Sequence, residues 1–375
     1  MKITEVDCLY AGNSMIVKIS TDEGIVGCGE ATFTARQKSV EMMIEHFKPS
    51  LIGQDPMRTD FIWYDLLRST ARRGGYIIMT AISGVDEALW DIKGKVCNMP
   101  VYQLLGGKQR DRMLVYKHIN GDTVEALLKE ADEALNKGYK VLRYSMPEAP
   151  DGIFDTRKML KDSVERTKAL RSFVGDEIEL IYDGHSRFNP ARSIELCNAV
   201  EEYHLLFMED PLIADDLEDY RTLRQHTNIA IGTGEKLGPI WDYTTLIGDR
   251  LIDYVRTDVC NCGGITSLKK IAVYAESAHM DIVPHGLRTL IGMMSAFHVD
   301  ISTPNFMVQE QGLFDFEKLH GEDLFIEADM EIKNGYCYLG DTPGLGITVH
   351  ENKKSEFICF ERPHWRRTDG SVQDW

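Results

Sequence analysis

The sequence predicts an α/β chain: a (β/α)8-type barrel (a modified TIM barrel) carrying an N-terminal α+β capping domain that the C-terminal segment completes. Two observations lead there. From about Arg112 onward, eight short apolar runs alternate with amphipathic segments long enough for helices. Acidic and imidazole residues also collect at the C-terminal ends of those runs, where barrel enzymes build their sites.

Taken in order, Lys2–Tyr10, Ser14–Ser20 and Ile25–Glu30 read as strands, with Asp22-Glu23-Gly24 as turn chemistry between the last two. Gln37–Leu51, Met57–Arg68 and Met79–Cys97 carry helical periodicity, and the basic run Arg72-Arg73-Gly74-Gly75 separates the last two. The barrel strands are expected at Met113–His118, Lys140–Ser145, Ile178–Asp183, Leu205–Glu209, Ile229–Glu235, Asp253–Asp258, Asp281–His285 and Phe306–Glu310. An open doubly wound sheet is the competing topology. It usually carries a Gly-rich fingerprint after its first strand, and none is present. The expected division is a cap over 1–111, a barrel over 112–317 and a strand-rich segment over 318–375 that returns to the cap.

Composition narrows the function. Lys+Arg 42 against Asp+Glu 59 gives a net charge of −17, which disfavours binding to nucleic acid or to an anionic membrane surface. An acidic substrate therefore needs a local cationic site. The 43% apolar content supports a large core. Eight scattered cysteines include no CxxC pair and read as reduced, buried thiols. The opening MKITEVDCLY lacks a signal-peptide pattern, and no run of eighteen apolar residues exists, so a cytoplasmic protein is expected.

The strand ends carry the chemistry. The third ends in Tyr182-Asp183-Gly184-His185, the fourth in Glu209-Asp210-Pro211 and the fifth in Thr233-Gly234-Glu235-Lys236. The steps 209 − 183 = 26 and 235 − 209 = 26 each equal one βα unit, so Asp183, Glu209 and Glu235 should stand at one height. Three such carboxylates repel unless a cation neutralises them, and oxygen ligands favour Mg2+ ahead of Ca2+ or Mn2+. His185, two residues beyond Asp183, should face the same way. The spacing 285 − 258 = 27 lets Asp258 meet His285 across adjacent strands, fixing its tautomer and raising its basicity, as a general base needs. Glu310 ends the eighth strand and could meet a substrate carboxylate if protonated or a hydroxyl if ionised. Arg143 and Arg256 are candidate clamps for an anionic substrate, or else ion-pair partners of the strand-end acids.

These residues, with MKIT, LIGQDP (Leu51–Pro56), MTAISGVDEALWDIKGKV, QLLGG (Gln103–Gly107), CGGIT (Cys262–Thr266) and the ending WRRTDGSVQDW, resemble the enolase superfamily in its mandelate racemase-like branch. The likeness spans essentially the whole chain and is strongest to galactonate dehydratases, with the mannonate dehydratase subgroup next. It implies Asp183, Glu209 and Glu235 as Mg2+ ligands, His285 with Asp258 as the base, His185 as the acid, and Glu310 as a partner of the substrate carboxylate or its enolate. The implied reaction is dehydration of a sugar acid, an aldonate or aldarate, to a 2-keto-3-deoxy acid by a homo-oligomeric enzyme. Many relatives carry Lys-x-Lys on the second strand where this chain has Arg143-Tyr144-Ser145, which favours one-base elimination over racemisation. The alternatives are an epimerase or cycloisomerase using Lys236, and a metal-binding sensor with little turnover.

Overall fold

The computed structural model describes residues 1–12, 14–146, 152–213, 216–286, 289–311, 325–357 and 364–373. The expected boundary at 317/318 lies outside the described residues, as do Cys359 and the Leu287-Arg288 pair after Gly286.

Eight parallel strands close into a barrel. In order they are Met113–His118, Val141–Ser145, Glu179–Asp183, Phe207–Glu209, Ile231–Thr233, Tyr254–Val255, Asp281–Ile282 and Gln309–Gln311. Each pairs with the next from first to seventh, and the eighth pairs with the first. A parallel bridge from Ile282 to Phe306 closes the remaining gap. The fifth to seventh strands are shorter than their sequence runs, although cross-strand backbone bonds continue to Arg256 and His285. Inside the barrel, Tyr116, Val141, Ile181, Phe207, Val283 and Val308 form an apolar plug, with Tyr254 packed against it. The barrel is thus filled by side chains, and its chemistry is confined to the rim.

The cap is a three-stranded antiparallel sheet of Ile3–Ala11, Ser14–Thr21 and Val26–Glu30, covered by helices Gln37–Leu51, Thr59–Arg68 and Tyr76–Cys97. The last helix is apolar nearly all round because it is buried on two sides. One face lies on the cap sheet so closely that a Cβ on Gly29 would sit 2.1 Å from the Gly84 carbonyl oxygen. The other face docks on the CGGIT stretch. Ser83 accepts the Gly263 N–H at 2.9 Å, and Asp86 accepts the Thr266 N–H at 2.9 Å and its hydroxyl at 2.6 Å. Trp63 Nε1 donates to the Gly263 carbonyl at 2.7 Å. The cap thereby supplies the acceptor for the start of barrel helix Gly264–Ser277, which has no capping side chain of its own.

After residue 324 the chain divides its contacts. The hairpin Met330–Lys333/Tyr336–Leu339 adds antiparallel to the start of the first barrel strand. Ser355 donates its N–H to Tyr10 in the cap, and Lys18 pairs with Glu351. Arg366–Arg367 runs beside Ile153–Phe154 on the barrel, where Trp365 packs on Phe154. Among the described residues no helix is long and apolar enough to cross a membrane.

Candidate active site

The pleat of the barrel strands sets the site. Side chains two residues apart share a face, so each plug residue is followed two positions later by a group at the rim. Tyr116 leads to His118, Val141 to Arg143, Ile181 to Asp183, Phe207 to Glu209, Tyr254 to Arg256, Val283 to His285 and Val308 to Glu310. Asp183 and Glu209 are direct neighbours in the ladder. The fifth strand departs from this pattern. Gly232 faces inward with the Phe207 ring where its Cβ would lie, and Gly234, at φ +142°, redirects the chain so that Glu235 turns toward the rim.

His285 and Asp258 meet as their spacing suggested: Nδ1 lies 2.8 Å from Asp258 Oδ2. Asp258 is more than a strand end. It caps the short helix Val259–Cys262, its Oδ1 accepting the Cys260 N–H at 2.7 Å. The other imidazole nitrogen, Nε2, stands 3.4 Å from Glu235 and 4.0 Å from Glu310. Burial works against charge on His285, but Glu310, Glu235 and Asp258 together raise it to about 9.

His185 sits beside Asp183 for a different reason from strand alternation. It lies beyond the strand in a left-handed turn, φ 49°, and its N–H donates to Asp183 Oδ1 at 2.6 Å. Nε2 is then 2.9 Å from Asp183 Oδ2 and 3.2 Å from Arg143 Nη2. Burial, with the Arg143 and Arg187 cations, holds His185 well below its ordinary pKa, hence neutral.

The acids are interleaved with guanidinium groups. Arg143 Nη2 rests against Asp183 Oδ2, and its Nε is 3.7 Å from Glu209. Arg256, fully buried, places Nη2 2.6 Å from Glu209, 3.6 Å from Glu235 and 3.0 Å from Glu310, and donates from Nη1 to the Tyr116 hydroxyl at 2.8 Å. The acids therefore close on the guanidinium groups, and Glu209, Glu235 and Glu310 converge on Arg256. Among the described residues no three His, Cys, Asp or Glu groups stand close enough to hold a metal ion as they lie. The donor set nonetheless fits one. Asp183, Glu209, Glu235 and Glu310 contribute −4 and the two arginines +2, leaving −2, while Asp258 and His285 cancel. Burial lifts Glu209 above the carboxylate range even beside two arginines, so its charged form lacks sufficient counter-charge.

Glu310 accepts the Gly286 N–H, lies 2.5 Å from His118 Nε2 and pairs with Arg256. Burial opposes its charge, but Arg256 and His285 hold it well below the carboxylate range, so it is ionised. An ionised Glu310 would accept from a hydroxyl and repel a carboxylate.

The site also includes His118, stacked on Tyr116 with ring planes 6° apart. Its signal was in the sequence: Leu114-Val115-Tyr116-Lys117-His118 ends a strand as the others do. Asp210 is a second such residue, buried beside Glu209 and bonded to the Thr233 hydroxyl. The cap closes over the rim where Tyr76, stacked on Phe33, donates its hydroxyl to the Lys236 carbonyl.

Residues 126–353 match the enolase C-terminal domain-like family, and residues 6–106 match the mandelate racemase/muconate lactonizing enzyme N-terminal domain. A D-galactonate dehydratase family member from Streptomyces bingchenggensis (strain BCW-1) is 36% identical over 405 residues, covering 100% of this chain and 98% of that protein. A D-mannonate dehydratase from Caulobacter sp. (strain K31) is 34% identical, covering 97% and 96%. The crystal structure of an enolase from Pantoea ananatis with bound D-gluconate and Mg superposes with a TM-score of 0.91 at 33% identity, covering 99% of both chains. With both halves of the chain matched and relatives above 30% identity covering nearly all of it, this protein is an enzyme of the hydro-lyase class and belongs to the enolase superfamily, in its mandelate racemase-like branch.

Proposed function

We propose that the chain is a Mg2+-dependent acid-sugar dehydratase acting on a hexonate, with galactonate as the first candidate. The carrying observation is the Asp258–His285 pair, which points Nε2 at a rim of four carboxylates and two guanidiniums. Asp183, Glu209 and Glu235 would hold Mg2+, which when bound supplies the positive charge that an ionised sugar acid needs as its α-carbon is deprotonated. Neutralising Glu235 would also remove one of the charges that keep His285 protonated, which favours the free base.

His285 Nε2 then takes the proton from the carbon next to the substrate carboxylate, and the electron pair moves into that carboxylate as an enediolate. As the pair returns, the bond from the adjacent carbon to its hydroxyl breaks, and a proton from His185 leaves with that oxygen as water. The enol so formed tautomerises to the 2-keto-3-deoxy acid. His185 is neutral in the free protein, so it must acquire this proton when the substrate anion arrives to offset Arg143. Glu310 orients the sugar through a hydroxyl. Arg143, paired with Asp183 and Glu209, is the candidate clamp for the incoming carboxylate. Arg256 is enclosed by Glu209, Glu310 and Tyr116, and acts as their counter-ion rather than as a clamp.

The test is to incubate the protein with Mg2+ and a library of aldonic and aldaric acids, and to detect 2-keto-3-deoxy products with semicarbazide. Turnover of one or a few diastereomers is expected, lost in His185→Asn and His285→Asn, with α-proton exchange in D2O also lost in the latter. Silence across the library would overturn the reading and leave a metal-binding sensor. A second reading rests on Lys236, whose charge is felt by Glu235, Asp210 and His185. If Lys236 serves as a second base, the library yields an epimer in place of a keto acid.

A further inference from the structure

Glu30 ends the third cap strand and is wholly buried, yet its carboxyl serves the barrel. Oε2 accepts the Thr289 hydroxyl at 2.5 Å and the Gly292 N–H at 3.2 Å, partners 259 and 262 residues away. Thr289 lies four residues after His285 and caps helix Leu290–Ile301, accepting the Ile291 N–H at 3.1 Å. A Cβ on Gly292 would stand 2.7 Å from both Glu30 Oε2 and Cys260 Sγ. Cys260 belongs to the short helix capped by Asp258. The segment that carries Asp258 and the helix that follows His285 therefore abut at one point, and Glu30 occupies it.

We propose that Glu30 is a positioning residue, a clasp from the cap that sets the His285–Asp258 pair by bonding Thr289 and Gly292. The inference rests on His285 being the base. The neighbours explain why a clasp accounts for this carboxyl better than an ion pair does. Glu87, whose Oε2 accepts the Glu30 N–H at 2.9 Å, comes from the cap helix, and Cys260 and Asp258 come from the barrel. None of these is basic. Burial accordingly raises Glu30, and lifts Glu87 well above its ordinary value. An apolar side chain would fill such a place without that penalty. What the carboxyl adds is an acceptor for two donors at the start of the helix that follows the base.

The experiment reads the pair directly. The downfield Nδ1–H resonance of His285 is assigned in the full-length protein by its loss in His285→Asn. Glu30→Gln keeps the acceptor oxygen and should retain the signal at its wild-type position. Glu30→Met keeps the volume, removes the acceptor and should shift or broaden the signal. Thr289→Val should do the same, and serves alone if Glu30→Met does not fold. On the sugar acid found by the library screen, kcat should fall by about tenfold or more in Glu30→Met and Thr289→Val, with KM held to within about twofold and kcat restored in Glu30→Gln. An unmoved resonance in Thr289→Val, or equal losses in Glu30→Gln and Glu30→Met, would overturn the clasp. Persistent α-proton exchange in His285→Asn would instead overturn the assignment of the base.

Discussion

Acidification should loosen this protein through a histidine that takes no part in the site. His298 is buried on helix Leu290–Ile301, stacked on Tyr102 at 5.6 Å, with Nδ1 accepting the Tyr102 N–H at 3.2 Å. Burial, assisted by the Lys108 cation, lowers its pKa from 6.5 to about 4. The native state therefore keeps the neutral ring, while the unfolded chain takes up a proton below its ordinary pKa. The stability due to neutral His298 is complete above pH 6.5 and is lost progressively as pH falls toward 4. At pH 4.5 the loss is about 2.5 kcal/mol, from 1.36 kcal/mol per pH unit over most of the interval. The perturbation is His298→Asn, whose amide oxygen can accept the Tyr102 N–H and does not titrate. Urea unfolding at pH 7.5 should find the variant weaker by about 1–2 kcal/mol for the lost ring. At pH 4.5 that deficit should vanish or reverse, because other titrating groups contribute equally to both proteins. A gap that stays constant to within about 0.5 kcal/mol between the two pH values would refute the reasoning.

Three further outcomes are expected. Gly29→Ala would drive a methyl group into the Gly84 carbonyl, so it should cost at least about 1–3 kcal/mol; a wild-type melting temperature would show that sheet and helix can separate freely. Thr266→Val removes the hydroxyl that donates to Asp86 and accepts from Trp90 Nε1, leaving buried groups unpaired at about 1–3 kcal/mol; an unchanged urea midpoint would refute that. Glu235→Gln should weaken Mg2+ binding by calorimetric titration and abolish turnover; wild-type affinity would remove Glu235 from the ligand set.

Much of this protein is local enough to be read from its chain. The barrel, the cap strands and the rim positions follow from a two-residue alternation and from the 26-residue repeat joining Asp183, Glu209 and Glu235, because side-chain direction on a strand is a steric property of adjacent residues. His118 obeys the same alternation and was legible in principle. Glu235 was reached by spacing, although the backbone turn at Gly234 is what brings it to the rim. Other features depend on groups far apart in sequence. The all-round apolar helix Tyr76–Cys97 gives no hint which face meets the sheet and which meets Gly263 and Thr266. Arg143 and Arg256 become counter-ions of the acids only because strands two, four, six and eight converge on one rim. Whether Glu310 is ionised, His185 neutral or Glu30 turned toward the barrel follows from burial and from the charges that folding collects around each group. Chain order determined which chemical groups reach the rim. Three-dimensional packing decided their protonation and their partners, since Coulomb and desolvation energies depend on distance in space and not on separation along the chain.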